Sequence, residues 1–215
     1  MKKIAIIGAG GFGQEVFCVW KEMLNYNNEK FEFLGFFDDN FSNNGNAFGK
    51  VIGCVDEINN YPEELEVAIA IGNSNHIETI SNKIVNPNIS FPNIIHPSTH
   101  FYNFSSLVIQ HGNIISPFVL ISCNVNIGSF NIINTRSSLA HDVKVGNFNV
   151  ISPNTQLNGN VVIKDKVFLG FNCGVLQNKI IDSEVTIGAG AILYRDAKEK
   201  GTYIGNPASK LKITS

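Results

Sequence analysis

One periodicity dominates this chain. Stepping by six residues from Ile109 gives Ile115, Ile121, Ile127, Ile133, Leu139, Val145, Ile151, Leu157, Ile163, Leu169, Val175, Ile181, Ile187 and Leu193, fifteen aliphatic positions without an insertion. Four residues after most of them stands a small or β-branched residue, such as Val119, Val125, Ser137, Val143, Thr155 or Cys173. A sandwich would alternate with period two and turn through hairpins; neither pattern is found. A period of six fits a parallel β-helix, in which each short strand and its turn form one side of a triangular coil. At three hexads per coil, fifteen hexads predict about five coils. The aliphatic residues point inward and stack into one column, each contributing at most about 1.5–3 kcal/mol. Frequent Asn and Gly suit the turns, where left-handed backbone angles arise.

Residues 1–95 follow a different grammar. "KIAIIG" is a continuous aliphatic run of the kind a parallel strand buried on both faces shows. "GQEVFCVWKEMLN" then predicts a helix, "FEFLGFFDD" a second strand, "EVAIAIGN" a third and "HIETISNKIV" a second helix. That alternation implies a small Rossmann-like parallel sheet with crossover helices. Pro87, Pro92 and Pro97 punctuate the junction with residues 96–215. The expected architecture is an α/β Rossmann-like domain followed by an all-β parallel β-helix with a short tail.

Bulk properties exclude several function classes. Sixteen basic residues against eighteen acidic ones, with no Lys/Arg run, give no nucleic-acid footprint. No apolar run reaches the ~18–20 residues that span a bilayer, and the run opening the chain ends at glycines too early for a signal peptide. Cys18, Cys54, Cys123 and Cys173 are scattered without a CxxC, which points to reduced thiols and a cytoplasmic protein. A zinc lyase built on such coils needs three converging imidazoles. The hexad region offers only His111 and His141, so no metal is expected.

Chemistry concentrates in "NTRSSLAHDVKVG", residues 134–146. His141 stands two residues past the inward Leu139, at a coil rim. It is either an ordinary turn residue or a general base, a task suited to histidine because its reference pKa of ~6.5 lies near working pH. Asp142 would then orient the imidazole, as the carboxylate of a triad does. Gly159 lies one coil on and stacks beside His141. It is either a turn glycine or the donor of a backbone N–H to a developing oxyanion. Gly170 and Gly188 share one hexad position a coil apart, and taken singly each reads as a coil-corner residue. "GAGGFG" satisfies G-x-G-x-x-G with Gly8, Gly10 and Gly13, and Asp38 and Asp39 end the next strand. About 90 residues are too few for a full dinucleotide fold, and no redox constellation follows. A phosphate-friendly helix N-terminus serves a nucleotide-diphosphate sugar equally well.

From "KKIAIIGAGGFGQEV" through "NTRSSLAHDVKVG" and "NGNVVIKDKVFLGFNCGVL" to "IGNPASKL", the chain resembles the NeuD/PglD-type sugar acyltransferases. The resemblance implies a left-handed β-helix, a homotrimer with active sites between subunits, and acetyl-CoA as acyl donor. It implies His141 as base with Asp142 assisting, Gly159 at the oxyanion, and Asn134 in contact with the donor or acceptor. Gly170 and Gly188 would meet the pantetheine arm. Pro207 and Lys210 or Lys212, in "GNPASKLK", would lie by the adenine and phosphates. The loop Gly8, Gly10, Gly11, Phe12 and Gly13, with Asp38 and Asp39, would bind the acceptor. Many members carry His where this chain has Phe12, which packs on a ring face or deoxy-sugar methyl but cannot hydrogen-bond. The implied reaction is N-acetylation of a nucleotide-linked 4-amino-4,6-dideoxyhexose for bacterial surface glycans; the alternative is O-acetylation of a sialic acid.

Overall fold

Aliphatic runs, short turns and two amphipathic helices build two separate units in the computed structural model, which describes residues 1–40 and 44–211. One unit comprises Met1–Pro97 and the other Ser98–Ser215.

In the first unit, β1 (Lys2–Ile7) buries Ile4 through Ile7 completely. It is flanked in parallel by β2 (Phe31–Phe37) and β5 (Leu65–Ile69). A hairpin of β3 (Gly45–Asn46) and β4 (Gly49–Gly53) extends the β2 edge, and β6 (Ile89–Ser90) extends the β5 edge. The strand order is β3-β4-β2-β1-β5-β6. The β3–β4 hairpin and β6 add to the three strands read from the sequence; β3 and β4 begin or end in Gly or Asn and β6 has two residues, so their periodicity is faint. Helix α1 (Gly11–Tyr26) packs through Gly13, Val16, Phe17, Trp20 and Leu24, spaced three to four apart on one face. Helix α2 (Ser74–Lys83) starts at Asn73, whose side chain accepts from the Asn75 and His76 amides.

The second unit is a left-handed parallel β-helix of two-residue strands. Strand pairs repeat with an offset of eighteen, as in Ile114↔Ile132, Ser138↔Gln156 and Lys144↔Val162. From Ile115 to Leu193 every column residue is at most 4 % exposed. The column also reaches beyond the sequence-defined range. At its start His100–Phe101 pairs with Leu120–Ile121, an offset of twenty, because a coil longer by two residues takes up the excess around a short 3₁₀ turn at Phe104–Ser106. At its end Ile187 pairs with Tyr203, an offset of sixteen. Those two departures break the sixfold count and hide both outer coils from sequence periodicity. Within the described part of the tail, Gly201–Ile204 adds to the sheet in parallel and Ser209–Lys210 pairs back on it.

From Gly112 to Gly190 every sixth residue has positive φ. Five are Asn, yet Phe118, Phe130, Arg136, Phe148, Lys166 and Glu184 also occupy these corners. Each costs about 1–2 kcal/mol relative to the right-handed form. The stacking holds them there, because the corner N–H donates to the preceding coil, as Arg136 does to Pro117 and Asp142 to Cys123. Three positions expected to be small or β-branched carry Asn113, Asn131 and Asn149, all completely buried. They form a ladder: each Oδ1 accepts the backbone N–H of the residue one coil on, and the first two also accept that Asn's Nδ2.

Candidate active site

His141 sits in the turn between strands Ser138–Leu139 and Lys144–Val145. Its two-residue distance from the buried Leu139 turns the side chain outward, leaving it 61 % exposed. Asp142 occupies the positive-φ corner, φ 62°, a conformation Asp tolerates better than most residues. That backbone brings its carboxylate back onto the ring, with Oδ2 2.8 Å from Nδ1 of His141. Oδ1 accepts from Nδ2 of Asn124 at 3.1 Å. The hydrogen bond to His141, and then that from Asn124, hold the Asp142 carboxyl below its usual range. With Nδ1 facing a carboxylate, neutral His141 carries its proton there and leaves Nε2 as the basic nitrogen.

The eighteen-residue register puts Gly159 against this ring. A Cβ on Gly159 would lie 2.5 Å from Cε1 and 2.6 Å from Nε2 of His141, so only glycine admits the imidazole there. The Gly159 carbonyl accepts from Asn178 and the His141 carbonyl from Asn160. Among the described residues nothing accepts from the Gly159 N–H. A base and an unpaired amide thus adjoin, the two groups acyl transfer needs.

Asn134 opens the preceding corner, so it and His141 flank one face of the coil; its Nδ2 donates to the Ile151 carbonyl at 3.0 Å. Gly170 and Gly188 follow on the Asn134 edge. Their own N–H groups are already bonded within the stack, to Ile187 and Tyr203. The next amides, of Phe171 and Ala189, have no acceptor among the described residues. Pro207 lies in the exposed turn of the tail hairpin, and Lys210 pairs with Glu199 at 2.8 Å. Lys212 lies outside the described residues.

In the first unit the glycine-rich loop joins β1 to α1. Gly8 has φ +100°, and a Cβ on Gly13 would collide with the Gly8 carbonyl, so these two serve the tight turn itself. Gly10 and Gly11 have open space where a Cβ would stand. The α1 N-terminus there has no side-chain cap and no acidic residue in its first turn, which leaves its partial positive charge for an anion. Phe12 is half-buried beside them. Asp38 braces the loop: Oδ2 accepts from the Ala9 amide at 2.8 Å and Oδ1 from Asn40 at 2.9 Å. Asp39 accepts from the Val55 amide. A cavity of about 320 Å³ adjoins, lined by Gly8, Asp38, Asp39, His76, Thr79 and Lys83 among others. The last three escaped the sequence reading, since nothing in their spacing points to one wall; a helical stride of three to four from His76 was the available signal. Asn124 escaped for a similar reason: it lies eighteen residues before Asp142 and is adjacent only once the coil closes.

The chain and its fold are similar to those of known proteins. A model of the PglD N-terminal domain matches residues 3–84. Over 220 residues the chain is 30 % identical to the GDP-perosamine N-acetyltransferase of Escherichia coli O157:H7, covering 99 % of this chain and 97 % of that one. The acetyltransferase domain of PglB from Neisseria gonorrhoeae FA1090, solved with acetyl coenzyme A, is similar with TM-score 0.86 and 27 % identity over 98 % of this chain and 99 % of that one. WeeI from Acinetobacter baumannii AYE is similar with TM-score 0.87 and 27 % identity, covering 98 % and 100 %. Fold and full-length sequence similarity together make the chain a member of the NeuD/PglD-type sugar acetyltransferases.

Proposed function

We propose that the protein transfers an acetyl group from acetyl-CoA to the amino group of a nucleotide-diphosphate-linked 4-amino-4,6-dideoxyhexose, with GDP-perosamine the first candidate. The observation carrying this reading is the His141–Asp142 pair lying against the bare Gly159 amide. The amine attacks the thioester carbonyl as Nε2 of His141 takes its proton, and the Gly159 N–H donates to the oxyanion. The tetrahedral centre then collapses, the C–S bond breaks, and the imidazolium returns the proton to the departing thiolate. The N-acetylating E. coli relative supports attack by nitrogen rather than oxygen. Asn134, Pro207, Lys210 and the amides at the Gly170 and Gly188 corners hold the donor. Gly10, Gly11 and Phe12 take the acceptor's diphosphate and sugar, while Gly8, Gly13 and Asp38 fix the loop and Asp39 faces the nucleoside. Resemblance to the family supports a homotrimer with active sites between subunits, testable as a solution mass three times that of the chain. No described helix is long and apolar enough to cross a membrane, and both charged substrates belong to the cytoplasm.

The test is thiol release from acetyl-CoA in the presence of GDP-, UDP- and dTDP-linked 4-amino sugars. Acceptor-dependent release with one nucleotide series is expected, and none with any series overturns the reading. His141→Ala should lose ~10²–10⁴ in kcat, the usual share of a general base; an unchanged rate removes the base assignment.

A further inference from the structure

We infer that Asn124 is a positioning residue for the His141 base, acting through Asp142 from one coil away; this rests on the acetyltransferase reading above. An exposed aspartate has several staggered rotamers of similar energy. Asp142 is held in one of them from both sides. Its Oδ2 meets Nδ1 of His141 and its Oδ1 accepts the Asn124 amide, so neither oxygen is free to turn. Only Nδ2 of Asn124 can serve here, because a carboxylate offers acceptors alone. Asn124 is itself anchored. Its backbone N–H donates to the Ser106 hydroxyl at 3.0 Å, and that hydroxyl donates to the Asn103 carbonyl at 2.9 Å.

Ser106, Asn124 and Asp142 therefore form a vertical line with a spacing of eighteen, starting in the irregular first coil and ending on the imidazole. In later coils a corner N–H meets a backbone carbonyl; at Asn124 the Ser106 hydroxyl takes that place. The two-residue insertion thus ends in a side chain that supports the site. Lys144, at the start of the next strand, acts on Asp142 only through its charge, and Cys123 contributes its carbonyl to the Asp142 N–H. Neither constrains the Asp142 carboxylate by a hydrogen bond. Fixing that carboxylate selects the Nδ1–H tautomer of neutral His141 and keeps Nε2 basic, whereas an unconstrained histidine side chain favours the Nε2–H tautomer.

The informative variant is Asn124→Gly, because glycine adopts φ 58° without strain and removes only the amide. Asn178→Gly, at a left-handed corner of the same edge three coils on, is the control. The primary readout is the ¹⁵N spectrum of the His141 ring at about pH 8.5, above the range in which histidine is cationic. The signal is assigned by its loss in His141→Gln and recorded without substrates. Wild type and Asn178→Gly should show mainly the Nδ1–H tautomer, and Asn124→Gly a shift toward the Nε2–H form with unchanged circular dichroism. Superimposable His141 signals in wild type and Asn124→Gly would overturn the proposal. With acetyl-CoA and GDP-perosamine, kcat of Asn124→Gly should fall about tenfold, part of the ~10²–10⁴ of a general base, with KM for acetyl-CoA held within about twofold. A kcat within twofold of wild type would also overturn it. Should wild type not turn over GDP-perosamine, the acceptor assignment falls, and the spectra still decide the role of Asn124.

Discussion

Gly159 shows how one missing methyl group can define a site. The imidazole of His141 occupies the volume a Cβ would fill, with the nearest ring atom 2.5 Å from that position. Gly159→Ala must therefore displace the ring by roughly 1 Å, and misplacement on that scale costs about 10²-fold in rate. Its backbone lies outside the left-handed region, so the fold should tolerate alanine. Steady-state kinetics beside a thermal melt separate the two, and full activity with an unchanged melt would contradict the steric account. His141, Asp142 and Gly159 were legible in the sequence because all three sit at positions defined by the hexad count. Asn124 and Ser106 were not, because their relation to the pair is a vertical one, and an isolated Asn at a corner is indistinguishable from the other four.

At the scale of the element, a coil is stabilised by two kinds of column. The aliphatic one was visible in the sequence, since any inward residue there must be apolar. The asparagine one was not, because an Asn among turn residues reads as another turn residue. Asn131 is the middle rung: its Nδ2 donates to Asn113 Oδ1 at 3.0 Å and to the Gly146 carbonyl at 2.9 Å, and its Oδ1 accepts twice from Asn149. The three asparagines themselves are completely buried. Asn131→Val keeps the volume similar but leaves the Asn149 donors and the Gly146 acceptor without partners, which should cost about 3 kcal/mol. Urea unfolding measures it, and a loss below about 1 kcal/mol would mean water or relaxation satisfies those groups. The same logic explains why the sequence located the start of regular coils at Ile109 and missed His100–Phe101. A two-residue insertion shifts the phase without removing the strand.

At the scale of the molecule, five carboxyl groups among the described residues shift in one direction. Lys2 holds the Glu29 carboxyl below its usual range, His141 that of Asp142, Lys200 that of Glu184, the Ile180 N–H that of Asp196, and Lys210 that of Glu199. A carboxyl whose folded-state value is depressed contributes stability that is present above the ordinary carboxylate range and lost as pH falls through the lowered value. The pairs are exposed, so each contributes little. The urea midpoint should be flat from about pH 8 to 5 and fall between about pH 4 and 2, and a midpoint that rises on acidification would contradict this sign.

The eighteen-residue register has a further consequence for how such a chain can change over generations. Asn124, His141 and Gly159 occupy three successive turns of the spiral. Whole turns gained or lost nearer the far end would alter the length of the prism while leaving the reacting groups in place. A gain of six or twelve residues would instead rotate every later corner onto a different edge, so viable lengths should come in steps of a full revolution.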